Sequence, residues 1–147
     1  MKISYNWLKD YCKHDLSAEE LAESLTNAGL VVDTVSPLGD DFCLEVEVTS
    51  NRPDCLGFIG VAREVATIVR GKLDIPDVGY DTTDENINDI TSVTIEDSDL
   101  CQRYTARIIK DVKIGPSPEW LQKKICSIGL RPVNNIVDIT NYVLMES

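Results

Sequence analysis

The feature that most constrains this chain is an acidic stretch near its middle. Residues 73–102 carry nine carboxylates and no basic residue, and residues 76–89 mix Pro, Gly and Asn without a helical or strand period. Repulsion among these carboxylates favours an extended, hydrated segment over a packed one. The sequence therefore predicts two small domains, residues 1–76 and 91–147, joined by an acidic linker over residues 77–90.

The start of the chain has two helix signals. Ser4 can cap a short first helix, because apolar residues follow it at helical spacing. The second signal is the capping box of residues 17–20, Ser-Ala-Glu-Glu, in which the hydroxyl and the carboxylate each accept a backbone N–H. Gly29 is suited to end this second helix, since glycine tolerates the left-handed conformation.

Strand signals and a third helix follow. Residues 30–35 and 44–49 predict two strands of a hairpin, and a turn at residues 51–54 leads into an apolar-faced helix that ends near Gly71. The order helix, helix, strand, strand, helix predicts an α+β domain, which resembles a winged helix in its order of elements.

The second domain is predicted to mix strands and helices. Residues 93–95 and 104–109 have strand character, and Pro118 marks the first position of a helix that ends near Gly129. The last segment is rich in β-branched residues, which favours a strand, but its apolar residues also share a helical face. With Asn134 or Asn135 as cap, a helix is predicted.

Composition excludes several classes of protein. The longest apolar runs are a few residues, far short of a membrane span, and no targeting segment precedes Asp10, so a cytoplasmic protein without membrane contact is expected. The five cysteines are irregularly spaced and are expected to be free and buried. The single histidine, His14, is expected on the surface. It cannot complete a metal site or a catalytic triad alone.

Two polar turns are the chemically distinctive motifs. One is Ser50-Asn51-Arg52-Pro53-Asp54, and similar residues recur in the stretch from Gly129 to Asn135. Each arginine has two interpretations: a tether to a nearby carboxylate, or a contact to a phosphate or a partner chain. No phosphate loop, nucleophile elbow or metal-ligand cluster is present in the sequence.

The charge distribution bears on nucleic acids. Residues 1–72 have a net charge of −5, which argues against DNA binding, because duplex binding relies on Lys and Arg at the phosphates. Residues 103–147 have a net charge of +3 and could attract RNA, although a solvated mixed surface is the alternative. Their basic residues are Arg103, Arg107, Lys110, Lys113, Lys123, Lys124 and Arg131.

Several blocks of the sequence resemble one family. Residues 44–57, LEVEVTSNRPDCLG, and residues 59–66, IGVAREVA, look very like the β chain of phenylalanyl-tRNA synthetase. Further blocks agree in order, at residues 1–11, at residues 101–107, and at residues 116–122 running into residues 129–143. The resemblance covers nearly the whole chain except the acidic linker.

The resemblance implies a fold class and a set of partners. Residues 1–76 would be the first β-chain module, a winged-helix-like α+β domain, and residues 91–147 the N-terminal part of an α/β editing domain of the B3/B4 type. In this family ATP and Mg²⁺ serve aminoacylation on the α chain, so no cofactor is expected in this chain. The implied partners are the α subunit, the rest of the β chain and tRNA(Phe).

Two departures limit what carries over. The oligonucleotide-binding-fold tRNA module that many bacterial β chains insert is absent, because Val35 and Leu44 are close in sequence. The family's Pro-Leu-His-type editing segment would follow Glu146, so no catalytic residue is assigned. Candidate tRNA or interface residues are Asn51, Arg52, Asp54, Lys123, Lys124, Arg131, Asn134 and Asn135. The motif positions Asp138 and Asn141 are also expected to have a structural or interface role.

The expected function is therefore non-catalytic. The chain is interpreted as an N-terminal part of the β subunit that supports packing, the subunit interface and tRNA contact. The alternative is a free-standing interaction protein derived from the β chain, and a self-sufficient deacylase is disfavoured because the second domain has no histidine. An exposed apolar patch that includes Val137, Val143 and Leu144 is expected to promote association.

Overall fold

The computed structural model describes all 147 residues and divides them into two compact units. The first unit contains residues 1–76 together with residues 114–147, and the second contains residues 77–113. This grouping differs from the predicted boundaries, which placed residues 91–147 in one domain after a linker at residues 77–90. The helices after residue 114 belong with the first unit because their side chains pack on its core.

A three-stranded antiparallel sheet organises the first unit. Its strands are β1 (Lys2–Ser4), β2 (Val32–Leu38) and β3 (Asp41–Val46), with β3 in the middle. Leu44 of β3 lies opposite Ile3 on one side and opposite Val35 on the other. The predicted hairpin is confirmed, but β1 was missed, since three residues are too few to show an alternating pattern.

Five α-helices complete the regular structure. They are α1 (Tyr5–Leu8), α2 (Ala18–Asn27), α3 (Phe58–Ile68), α4 (Glu119–Ser127) and α5 (Asn135–Glu146). The capping box that begins α2 is confirmed, because the Ser17 hydroxyl accepts from the Glu20 amide at 3.2 Å and the Glu20 carboxylate accepts from the Ser17 amide at 2.8 Å. The ambiguous last segment is a helix, as predicted, with Asn134 as its cap.

The core of the first unit lies between the sheet and the helices. Its largest fully buried side chains come from β1, β3 and the first three helices, together with Tyr11, Leu30 and two residues of α4. They are Ile3, Trp7, Leu8, Tyr11, Leu21, Leu25, Leu30, Leu44, Val46, Phe58, Leu121 and Ile125. Tyr142 and Met145 of α5 pack against this core. The C-terminal helices therefore extend a core that the N-terminal residues begin.

The second unit has little regular structure. A single 3-10 turn spans Ile87–Asp89, and the strands predicted at residues 93–95 and 104–109 do not form. A strand requires a neighbour for its backbone hydrogen bonds, and neither segment has one here. Two local contacts occur in this unit. The Arg107 guanidinium lies 4.0 Å from the centroid of the Tyr80 ring, and Lys110 pairs with Glu85.

Three further expectations concern membrane spans, the cysteines and His14. No helix is long and apolar enough to cross a bilayer. All five cysteines are free, but only Cys12 and Cys55 are buried, and Cys126 is exposed. The prediction for His14 was wrong, because its ring is buried against Tyr5 with a centroid separation of 5.5 Å.

Candidate interface sites

The first candidate site is the corner between β3 and α3. Here the polar turn runs into a 3-10 turn, Pro53–Cys55, and then into α3. The Arg52 guanidinium donates to both carboxylate oxygens of Asp54, at 3.0 and 2.8 Å, and forms a 2.8 Å ion pair with Glu64 on α3. The tether interpretation of Arg52 therefore describes the structure: the side chain binds two carboxylates of its own chain.

The electrostatics of this corner follow from the ion pairs. The hydrogen bonds from Arg52 lower the pKa of the Asp54 carboxyl to about 2. Burial, followed by the hydrogen bond to Asp54, raises the pKa of the Cys55 thiol to about 11. The thiol is therefore protonated and poorly nucleophilic at neutral pH. The corner has the properties of a structural junction and not of a reactive centre.

The same corner holds the one cluster of metal-ligand residue types in the structure. Ligand atoms of Asp54, Cys55 and Glu64 lie within 4.8 Å of one another. Mg²⁺ requires oxygen ligands in near-octahedral geometry, but here the Arg52 guanidinium already binds both carboxylates. These residues do not fit the Mg²⁺ that the family resemblance associates with aminoacylation.

A glycine allows the corner to pack closely. A Cβ built at Gly60 on α3 would lie 1.7 Å from the Asp54 carbonyl oxygen. This distance is far below any van der Waals contact, so the helix can approach the turn only because residue 60 has no side chain. The proximity of Gly60 to the turn explains why a glycine stands on an otherwise apolar helix face.

The second candidate site is the contact between α1 and the C-terminal helices. The Trp7 ring stacks between Phe58 and Tyr142, with centroid separations of 3.9 and 4.9 Å. Trp7 Nε1 donates to the Tyr11 hydroxyl at 2.9 Å, and that hydroxyl donates to Glu146 at 2.6 Å. Burial and the Glu146 carboxylate raise the pKa of Tyr11 above its ordinary value.

Lys124 completes this aromatic contact. Its ammonium forms a 2.6 Å bond to Asp10, and it lies 5.3 Å from the Trp7 ring centroid. It is also 5.4 Å from the Tyr142 centroid and 6.0 Å from that of Trp120. Cation–π attraction and an ion pair hold this side chain inside its own fold. The ammonium is therefore committed to internal partners.

The turn before α5 uses its asparagines internally. The Asn134 side chain accepts from the amides of Ile136 and Val137 at 3.0 and 2.9 Å, which is an N-cap. The Asn135 side chain accepts from the Gly115 amide at 3.2 Å. Asp138 is fully buried, where it accepts from the Ser117 hydroxyl at 2.5 Å. These polar residues position α5 relative to the segment before α4.

The remaining predicted site residues lie at the surface. Asn51 and Arg131 are exposed. Lys123 is also exposed and pairs with Glu119 at 2.9 Å on the same helix. Lys123 and Lys124 line an open cleft of about 450 Å³ with Asp10, Asp40 and Asp41. This cleft contains charges of both signs, so it has no uniform basic surface for a phosphate backbone.

Sequence reasoning missed the aromatic and carboxylate residues that connect α1 to α5. Trp7, Tyr11, Tyr142 and Glu146 come from the two ends of the chain, and no local pattern relates them. One signal could have indicated the contact. Tyr142 lies in the predicted last helix away from its most apolar face, so it was available to pack against another part of the protein.

The side chains of both candidate sites are bound to partners within the chain itself. The family model described as the B3/4 domain matches residues 100–147. The match covers α4, α5 and the segment before them. The match is confined to the C-terminal third of the chain and does not include the N-terminal sheet and helices.

Similar proteins extend the match to the N-terminus. A phenylalanine–tRNA ligase beta subunit from Rhodopirellula baltica is 46% identical over 146 residues, which cover 99% of this chain and 21% of that protein. The beta subunit from Fusobacterium nucleatum is 50% identical over 107 residues, 73% of this chain and 13% of that protein. The resemblance found in the sequence blocks is therefore confirmed: the chain is similar to a region of these beta subunits.

Each match covers most of this chain but only a small part of the longer relative. The beta subunit from Syntrophus aciditrophicus is 41% identical over 140 residues, 88% of this chain but 17% of that protein. The matched region thus covers between 13% and 21% of the length of these three relatives. The similarity concerns one region of a much longer subunit.

Proposed function

We propose that this chain is a non-catalytic packing and subunit-interface region of a phenylalanine–tRNA ligase beta subunit. Its partners are the synthetase alpha subunit and the remainder of the beta chain, and tRNA(Phe), ATP and Mg²⁺ belong to the parent reaction. Residues 1–76 form the winged-helix-like module in this proposal. Residues 100–147 are the start of an editing-type B3/4 domain.

One observation carries the proposal. The polar residues in the sequence blocks that resemble the beta chain form hydrogen bonds and ion pairs within this chain. Arg52 binds Asp54 and Glu64, and Asn134 caps α5. Asp138 is buried under Ser117. Side chains engaged in this way hold turns and helix ends in place, which supports a scaffold role. The buried, protonated Cys55 thiol adds no nucleophile to the region.

Co-purification tests the subunit-interface role. The tagged chain would be expressed with the alpha subunit of the Rhodopirellula baltica ligase, whose beta subunit is 46% identical to it. We expect the alpha subunit to be retained and the alpha subunit of an unrelated synthetase to be lost. Absence of any retained alpha subunit would contradict the proposal and favour the alternative, a free-standing interaction protein.

The tRNA contact in this proposal is carried by exposed cations and not by Lys124. Arg131 is exposed in the turn before α5, whereas the Lys124 ammonium is bound to Asp10. A phosphate contact requires a side chain that can reach solvent, so Arg131 and Lys123 are the candidates. The negative charge of the whole chain, −11, means that any such contact is local and weak.

Salt-dependent binding of tRNA(Phe) tests this contact. Arg131→Ala should weaken binding and reduce the slope of log affinity against log salt by about one. Lys72→Ala is the matched control, because Lys72 is an exposed cation elsewhere on the first unit and should leave the slope unchanged. Binding that is insensitive to salt, or equal in the wild type and Arg131→Ala, would remove tRNA contact from the proposal.

A further inference from the structure

Three aromatic rings and a carboxylate surround the ammonium of Lys124 on α4. The nitrogen lies 5.3 Å from the ring centroid of Trp7, 5.4 Å from that of Tyr142 and 6.0 Å from that of Trp120. The Asp10 carboxylate accepts a hydrogen bond from it at 2.6 Å. These four surrounding residues form what we term the ammonium box. Rings placed in this way attract a cation through their negative faces, and such cages bind methylated ammonium groups in proteins.

The distances in the ammonium box suit a nitrogen that carries methyl groups. A bond from nitrogen to a methyl carbon is about 1.5 Å long. Subtracting this length from the nitrogen–centroid distances leaves about 3.8 Å to the Trp7 ring and about 3.9 Å to the Tyr142 ring. Carbon atoms pack best at about 3.5–4.0 Å, so methyl groups would contact both rings without a clash. A bare ammonium leaves this space unfilled.

The Asp10 carboxylate limits how many methyl groups the box can hold. It accepts from the Lys124 nitrogen, and this hydrogen bond requires one N–H. A quaternary ammonium has no N–H and would leave the carboxylate without its hydrogen bond. A tertiary ammonium with two methyl groups keeps one N–H for Asp10 and presents both methyl groups to the rings. The box is therefore matched to a dimethylated alkylammonium group.

The ammonium box can be reached from solvent. Trp7, Asp10 and Lys124 line the open cleft of about 450 Å³. The Trp120 side of the box is open as well, because that residue is 55% exposed. The Lys124 side chain itself is 24% exposed. A small ligand can therefore approach the box without unfolding of the helices that form it.

We propose that the ammonium box is a binding site for a dimethylated alkylammonium group, and that Lys124 fills it as an internal ligand in this structure. Lys124 belongs to the same chain, so its effective concentration at the box is on the order of millimolar or higher. An external ligand binds only when Lys124 leaves. Its binding and the bond between α4 and Asp10 therefore exclude each other.

Replacing Lys124 frees the box for a soluble ligand. Lys124→Ala removes the ammonium and most of its methylene chain, and dimethylpropylammonium supplies these groups with two methyl groups on the nitrogen. Both tryptophans of the chain, Trp7 and Trp120, are walls of the box, so tryptophan fluorescence reports its occupancy. In Lys124→Ala this ligand should change the fluorescence saturably and bind about tenfold more tightly than propylammonium, which has no methyl groups on nitrogen.

The wild type and Lys72→Ala are the controls, because each keeps Lys124 in the box. Neither should respond at the ligand concentration that saturates Lys124→Ala. Asp10→Asn, added to Lys124→Ala, should weaken the binding of dimethylpropylammonium about tenfold through the lost charge. Equal responses of the wild type and Lys124→Ala would overturn the proposal. So would equal affinity for the two ligands, or no saturable response in a Lys124→Ala chain that is folded by circular dichroism.

Nuclear magnetic resonance of the wild type tests the fit independently and decides the matter if Lys124→Ala does not fold. Reductive methylation with isotope-labelled formaldehyde places two methyl groups on each lysine nitrogen. Ring currents should shift the Lys124 methyl signals upfield of those of Lys72, whose side chain is 86% exposed. Lys124→Arg identifies the Lys124 signals by their loss. A Lys124 signal at the position of the Lys72 signal, or a Lys124 amine that stays unmethylated, would contradict the proposal.

Discussion

At the scale of single residues, Gly60 has the clearest steric role. Its Cα faces the Asp54 carbonyl oxygen so closely that an added Cβ would lie 1.7 Å from it, and that oxygen belongs to the backbone and cannot rotate away. Gly60→Ala should therefore force α3 away from the corner and lower the free energy of unfolding by about 3 kcal/mol. Denaturant unfolding followed by circular dichroism measures this loss.

Gly115 provides the matched control for this substitution. A Cβ built at Gly115 meets no heavy atom within 4 Å, and its backbone is not in the left-handed region. Gly115→Ala should therefore change the free energy of unfolding by less than about 1 kcal/mol. Equal effects of the two substitutions would show that the close approach at Gly60 is not the cause.

His14 gives stability a dependence on pH. Burial, followed by the nearby Lys9 charge, lowers its pKa below the ordinary 6.5. The unfolded chain therefore binds a proton more readily than the folded chain. The stability associated with neutral His14 is complete above pH 6.5 and decreases as the pH falls from there to the lower folded-state pKa.

Replacing His14 isolates this effect from the carboxylates. His14→Leu places an apolar side chain of similar size at the same buried position and removes the titratable imidazole. Between pH 7.5 and pH 5 the wild type should lose more unfolding free energy than the variant, measured by urea titration at both values. If both proteins lose the same amount, His14 is not protonated on unfolding in this range.

The distance in sequence between contacting residues explains which side-chain contacts could be predicted. Arg52 lies two positions from Asp54, so the sequence already offered the tether that the structure contains. His14 lies in a charged stretch, which indicates a surface position. It is buried because the chain folds back over Tyr5, and that contact depends on the tertiary path and not on neighbouring residues.

At the scale of elements, α5 depends on its cap. The Asn134 side chain satisfies two amides at the start of the helix. Asn134→Ala should lower the free energy of unfolding by about 1 kcal/mol and reduce amide protection in the first turn of α5. Hydrogen exchange measured by mass spectrometry reports both the free energy of unfolding and the amide protection. Asn141→Ala, in the middle of the same helix and with no hydrogen bond to lose, should have little effect.

Local chemistry determined how well elements could be predicted. The helix α2 was predicted correctly because its capping box acts within four residues. Strand β1 was missed because it is stabilised by β3, more than 35 residues away, and has no pattern of its own. Residues 93–95 and 104–109 show the reverse case: strand-forming residues without a partner strand remain irregular.

At the scale of the whole molecule, the acidic stretch does not separate the chain where the sequence suggested. Residues 77–113 form their own unit, but the chain then returns to the first one. The return depends on Trp7, which stacks between Phe58 and Tyr142, and on Lys124, which binds Asp10. Contacts between residues more than 100 positions apart have no signature in local composition.

The bond between Tyr11 and Glu146 makes this long-range packing measurable. The Tyr11 hydroxyl donates to Glu146 at 2.6 Å, and the two residues lie at opposite ends of the chain. If α5 and α1 unfold together, Tyr11→Phe and Glu146→Gln should be non-additive. The double-mutant cycle should give a coupling of about 1 kcal/mol in unfolding free energy.

A second cycle shows whether that coupling is specific. Glu119→Gln changes a carboxylate that is exposed and paired with Lys123, with no contact to Tyr11. Its effect should therefore add to that of Tyr11→Phe within about 0.5 kcal/mol. A zero coupling in the first cycle would mean that α5 unfolds independently of α1. In that case residues 114–147 would not unfold cooperatively with residues 1–76. A positive coupling would instead mean that the two ends of the chain unfold as a single unit.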